Sequence, residues 1–325
     1  MTAFLRLAGA AGALALVAAT AAPSPVAPLL DDPVAARAFD YAALRERLGD
    51  EPVKALSREV DETVSARLAA TPGACETEAE AFVRQGLASA LQAPDAAAWR
   101  ADWKAANDRR DPLYARVAKV LNGEDVGLAL YDGVRADAKA AVAASDPRHR
   151  QLFARVARDQ AWRHLFRDID AMPQGPLRQM VSRPLSARIC AVDADNTAWL
   201  KAEWRTSGWF TTARDGEVAN QRAWLILQHA DLDPAFQRAV LPLLAGETGL
   251  QARINYAYLT DRVAVNAKEP QTYGTQGDCV APGRWEPDPV KDPAGLDARR
   301  ATLTLPPEAE YQAFFVAACA NFKAP

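Results

Sequence analysis

The sequence predicts a mainly α-helical protein with one small β-hairpin. Apolar residues recur at three- and four-residue steps along most of the chain, cap and stop residues punctuate them at helical lengths, and one stretch near residue 270 alternates instead. Parallel βαβ units are not evident. With 325 residues, 50% hydrophobic and 24% charged, the chain has ample material for a core. Its net charge of −3, without a stripe of Lys and Arg interleaved with aromatics, gives no field for holding phosphates, so no nucleic-acid partner is expected.

The first 21 residues read as a signal peptide. MTAFLR carries one cation, LAGAAGALALVAAT is a short apolar run, and Ala19, Thr20 and Ala21 supply small residues before a cut at Ala22. The run is shorter than the roughly 20 residues a membrane span needs, and no cysteine sits at the cut to carry a lipid. The expected mature chain is periplasmic or secreted, with no stable membrane insertion. Four cysteines, Cys75, Cys190, Cys279 and Cys319, form no CxxC pair and fit two structural disulfides, for which three connectivities exist. A bridge from Cys279 to Cys319 would pin the loop that precedes Cys279 to the core.

Residues 22–33, APSPVAPLLDDP, read as a proline-rich extended leader. Residues 34–145 read as a helical accessory region: Val83, Leu87 and Leu91 share a face, Pro94 ends that helix, and Trp99 and Trp103 mark the next. Asp111 and Pro112 look like the start of another helix, stopped by Asn122 and Gly123. Nothing in this region carries a chemical motif.

From residue 146 to 325 the pattern changes. A helix from His149 to Asp168 places Asp159 and Arg163 between Leu152 and Val156 on one face, with Gln160 at its margin. Charges on a core-side face must be paired or serve a ligand, and an intrahelical pair between Asp159 and Arg163 is the simplest alternative. DADNTAWLKAEWRTSGWF then starts with cap-type residues and presents Trp199, Leu200 and Trp204 at helical spacing, as core. A helix from Gly216 carries Val218, Leu225 and His229 on one stripe, with Gln228 and His229 at its end and Asp233-Pro234 opening the next helix.

His229 is one of three histidines, beside His149 and His164, and is the side chain best suited to exchange a proton near neutral pH. At a helix end it could equally cap terminal carbonyls. A metal needs at least three ligands, and His229 with Asp231 supplies two, so neither a metal nor another cofactor is expected.

In INYAYLTDRVAVNAKEPQTYGTQ, a helix is expected to finish over Tyr256 to Thr260, beside the pair Asp261 and Arg262. Val263 and Val265 then read as one strand, NAKEP as a turn, and Gln271 and Tyr273 as the returning strand, with Gly274 allowing a sharp bend before Thr275 and Gln276. Finally, Tyr311, Phe314, Phe315, Ala318, Cys319 and Phe322 fall on one face of a terminal helix after Pro307. Glycine-rich phosphate loops, GxSxG, HExxH and a Cys/His nucleophile pair are missing.

The set of DQxxR (Asp159, Gln160, Arg163), NxxWL (Asn196 to Leu200), WLxxQHAD (Trp224 to Asp231), DRV (Asp261 to Val263), QxYGTQ (Gln271 to Gln276) and DxRR (Asp297 to Arg300) resembles an uncharacterised bacterial domain family, often exported, with no assigned function. The resemblance covers about residues 150–315 and implies a shared polar site, but no reaction. The N-terminal stretch and the insert APGRWEPDPVKDP fall outside it.

Three readings follow. In one, His229 acts as acid or base, Asp159 or Asp261 orients it, and Gln160, Arg163, Gln228, Arg262, Gln271, Tyr273, Gly274, Thr275, Gln276 and Arg300 hold a small anionic or amide-bearing ligand for hydrolysis or transfer. In the second, the same residues bind a ligand without chemistry. In the third, they form a structural network.

Overall fold

The computed structural model describes residues 24–320 and residue 322; the expected signal peptide lies outside them. Helices dominate: α1 (Pro33–Ala38), α2 (Tyr41–Leu48), α3 (Asp50–Ala70), α4 (Glu78–Gln92), α5 (Ala96–Leu121), α6 (Asp132–Ala143), α7 (Pro147–Arg163), α8 (Phe166–Asp170), α9 (Pro176–Ser207), α10 (Thr212–Asp215), α11 (Glu217–Gln228), α12 (Pro234–Ala245) and α13 (Leu250–Asn266). A two-stranded antiparallel hairpin follows, β1 (Gly277–Ala281) and β2 (Arg284–Pro287), then α14 (Leu296–Thr302), α15 (Glu308–Ala313) and α16 (Val316–Cys319). Among the described residues no helix is long and apolar enough to cross a membrane.

The described part of the expected leader is not extended. Residues Ala27–Asp31 form a 3-10 turn, Val26 and Leu29 are buried in the first core, and the Asp32 side chain caps α1 by accepting from the amides of Val34 and Ala35. Pro112 does not start a helix either, because α5 runs through it. Pro112 and Asp108, the residue four positions earlier whose carbonyl loses its donor, are both exposed. The buried face of Trp99, Trp103, Ala106, Arg110, Leu113, Val117 and Val120 runs on both sides of the break and keeps the helix continuous.

DADN is likewise no cap, since Asp193, Asp195 and Asn196 lie in the interior of the 32-residue α9. Their side chains turn sideways to arginines of α7: Asp193 to Arg163, Asp195 to Arg155 and Arg158. Val218, expected on the buried stripe of α11, is 56% exposed.

Three apolar cores form. The first gathers α1 to α6 and the start of α9 around Tyr41, Phe82, Trp99 and Trp103; the second gathers α11 to α13 around Phe210, Phe236 and Leu259; the third is small, built from Trp285, Tyr311 and Cys319. Helix α7 contributes to two of them, Ala157, Ala161 and Trp162 to the first and Leu152 and Val156 to the second.

Both bridges are formed, Cys75 with Cys190 and Cys279 with Cys319. The second is the one the sequence suggested for pinning the motif loop.

The hairpin lies one segment later than the alternation implied. Val263 and Val265 belong to α13, where Ala252, Asn255, Leu259 and Val263 are buried at helical spacing. Gln271 makes only an isolated bridge to Val290, and the YGTQ turn leads into β1. β1 directly follows the YGTQ turn and β2 comes from the expected insert, with Cys279 opposite Trp285 and Gly283 turning at φ +67.

The terminal helix breaks in two. Amides of Phe314 and Phe315 bond back three residues, to Tyr311 and Gln312, which tightens the turn and leaves Phe314 72% exposed.

Candidate functional site

His229 is the C-terminal cap residue of α11, yet its ring does not serve the helix carbonyls. Its Nδ1 lies 3.1 Å from the buried carboxylate of Asp159, brought up on α7. A carboxylate only accepts, so Asp159 holds the ring proton on Nδ1 and leaves Nε2 as the exchangeable nitrogen. Gln228 stands 3.5 Å from that Nε2.

Asp159 also accepts from Gln160 Nε2 at 2.6 Å and from Arg163 Nε at 3.0 Å. Burial alone would raise its pKa, but the His229 hydrogen bond and charge, with Arg163 and Gln160, outweigh it and hold the carboxyl down at about 2. Arg163 turns its Nη2 to both oxygens of Asp193 at 2.6 Å. The intrahelical pair foreseen between Asp159 and Arg163 is therefore real, and it is one side of a larger cluster. Burial, with the charge of Asp159 nearby, pushes the Asp193 carboxyl up to about 7 despite Arg163.

Asp159, Asp193 and His229 each offer a ligand atom, and these atoms lie within 4.8 Å of one another, one ligand more than the sequence had located. Asp231, the one other metal ligand the sequence offered beside His229, pairs with Arg262. The guanidinium of Arg163 rests on both carboxylates of the trio and supplies there the positive charge an ion would bring.

A cavity of about 420 Å³ opens in front of His229. Of the residues the sequence singled out, Arg163, Gln228, His229, Arg262, Thr275 and Gln276 line it. Asp159 and Gln160 stand behind His229, in contact with it or with each other. The remaining wall is aromatic, with Tyr258, Trp285, Tyr311 and Phe315; the Trp285 and Phe315 rings stack 4.7 Å apart.

Asp261 was one of two candidates for orienting His229, and the structure gives it other work. It is fully buried and accepts from the amides of Thr272 at 2.7 Å, Tyr273 at 2.9 Å and Thr275 at 2.9 Å, and from the Thr275 hydroxyl at 2.9 Å. Burial raises its carboxyl above the ordinary range, and these donors work against that rise.

Gln271, also fully buried, donates to the carbonyls of Gln276 and Asp288 at 2.8 Å and accepts from the Gln276 amide at 2.9 Å. Arg300 donates to the carbonyls of Tyr273 and Pro306 at 2.6 Å. Gly274 turns at φ +66, and Tyr273 packs edge-on to Tyr256. Asp261, Gln271, Tyr273, Gly274 and Arg300 thus build the loop and do not line the cavity. The other histidines lie elsewhere, His149 beside Asp215 and His164 against Tyr131.

Sequence reasoning missed Asp193 and the aromatic wall. Asp193 sits three residues before Asn196 of the NxxWL motif, in a run that has the residue types of a cap; Trp285 belongs to the insert outside the motif set.

No curated protein and no solved structure matches this chain. A model of a family of unknown function, DUF6624, matches residues 149–321, a segment that contains Asp159, Arg163, Asp193, His229, Arg262, Gln276 and the hairpin. That segment is more than half of the 325 residues, and the chain belongs to the DUF6624 family of unknown function.

Proposed function

We propose that this is an exported protein whose cavity binds a small polar ligand, with His229 transferring a proton to or from it in hydrolase- or transferase-type chemistry. The observation that carries this reading is the Asp159–His229 pair: a ring fixed through Nδ1 at 3.1 Å by a buried carboxylate, on the wall of a polar cavity. Fixing the tautomer and orientation of an imidazole is what an acid–base catalyst requires. Gln228 and Gln276 share the cavity wall with the ring and carry groups able to orient a bound molecule. In hydrolysis, Nε2 would take a proton from water as it attacks and return it to the leaving group. Export is supported by the N-terminal segment and by two disulfides, which persist in oxidising compartments.

A second reading has its own support. Asp261, Gln271, Thr275 and Arg300 satisfy one another and the loop backbone, so that half of the motif set acts as a structural network beneath the cavity.

A thermal-shift screen of the mature, oxidised protein in chelator tests the proposal, using N-acetylated sugars, short peptides, amino acids and organic acids. A stabilising compound whose effect disappears in Gln276→Ala, and which is turned over by wild type but not by the folded His229→Gln variant, is the expected result. Binding that survives without turnover in either protein would reduce the site to a recognition module.

A further inference from the structure

The two arginines on the cavity wall are what an anion would seek, and both are already engaged. Arg163 holds both oxygens of Asp193 at 2.6 Å and reaches Asp159 at 3.0 Å. Arg262 grips Asp231 through Nε at 2.7 Å and again through Nη2, and Asn266 and Gln237 also donate to that carboxylate. Both guanidinium groups are thus committed to acids, and the wall offers an incoming anion no free arginine. An incoming carboxylate would have to break a paired cation away from its partner or lie unpaired beside three acids, and either is costly.

The uncommitted side chains are amides. Among the described residues, Gln228 makes only the 3.5 Å contact to His229, and Gln276 donates one 3.2 Å bond to the Thr275 hydroxyl while its side-chain carbonyl accepts nothing. Each can offer a donor and an acceptor side by side, the complement of another carboxamide. The aromatic wall of Tyr258, Trp285 and Phe315 gives the ligand's apolar face a surface to lie against.

We infer that the cavity selects an uncharged, amide-bearing ligand over the isosteric carboxylate, an inference that rests on the ligand-pocket reading above. The amide's carbonyl and NH₂ pair with Gln228 and Gln276, and the arginines keep their acids. The specificity residues are therefore the two glutamines, while Asp193 and Asp231 act by withdrawing the arginines from use.

Matched pairs of small probes test this: acetamide against acetate, and succinamide against succinate. Binding is followed by the proton NMR signals of the His229 ring, assigned with His229→Gln. The amide of each pair is expected to perturb those signals at a concentration about tenfold or more below the acid, because the acid leaves a glutamine group unpaired. Freeing an arginine with Asp231→Asn, or with Asp193→Asn should the first fail to fold, is expected to narrow that gap. An acid that matches or exceeds its amide overturns the inference and leaves the pocket standing, as does a gap unmoved by either variant. Silence from every probe at the His229 ring overturns the pocket reading itself.

Discussion

His229 Nδ1 and the Asp159 carboxylate meet at 3.1 Å across 70 residues of chain, with Arg163 and Gln160 on the same carboxylate. A carboxyl held down at about 2, against about 3.9 unfolded, contributes stability that is present above the unfolded value and lost as pH falls through the folded one. Wild type is therefore expected to lose roughly 2 kcal/mol more than Asp159→Asn between about pH 4 and 2, read from urea melts. Equal slopes for the two proteins would remove Asp159 from the cluster's ionic balance.

Asp193 works in the opposite direction. Its carboxyl is pushed up to about 7, so the folded state holds a proton that the unfolded chain releases near 4. That contribution is complete below the unfolded value and fades as pH rises toward the folded one. Asp193→Asn should flatten a fall in stability between about pH 4 and 7, and a variant melting curve parallel to wild type would contradict the assignment.

Removing the internal cation should expose what it covers. In Arg163→Ala, two carboxylates and an imidazole remain within reach of one another with nothing between them. This variant is expected to gain thermal stability with Zn²⁺, by about 2.7 kcal/mol at a hundredfold excess over its dissociation constant, while wild type gains much less. Equal responses would place the bound zinc elsewhere.

Gly277 opens β1 where no side chain fits. A Cβ there would lie 2.1 Å from the Glu286 carbonyl and 2.6 Å from the Trp285 ring. Gly277→Ala is expected to spread the hairpin and turn Trp285 out of the cavity wall, costing about 1–3 kcal/mol. Weakened ligand binding with the remaining helices intact by circular dichroism would be the signature; an unchanged melting temperature would contradict it.

The Cys75–Cys190 bridge joins the turn before α4 to α9 across 115 residues. On chain-entropy grounds its loss by paired serine substitution should cost about 4–5 kcal/mol, measurable by denaturant unfolding. Peptide mapping without reductant should recover this pair and Cys279–Cys319.

The mainly helical fold was legible because it rests on local periodicity and caps: Asp233-Pro234 and Asn122-Gly123 act where they stand. Asp111-Pro112 and DADN misled for one reason, which is that a buried face or a partner helix can outweigh a cap-type residue. Chemistry offered Asp159 and Asp261 alike as partners for His229, and only the packing of α7 distinguishes them; Asp193 was not offered at all, because its meaning lies in the packing of α9 on α7. Asp261, Gln271 and Arg300 have the residue types of a site, and only their surroundings reveal that they bond inward.

Helix α7 carries a further consequence. It shows Leu152 and Val156 to one core, Ala157, Ala161 and Trp162 to another, and Asp159 to the His229 ring. The family match begins at residue 149, inside this helix. A fragment cut at that boundary would leave the alanines and Trp162 bare to water on the rod that aims the carboxylate. In this chain the N-terminal helices cover that side of the helix that brings Asp159 to His229.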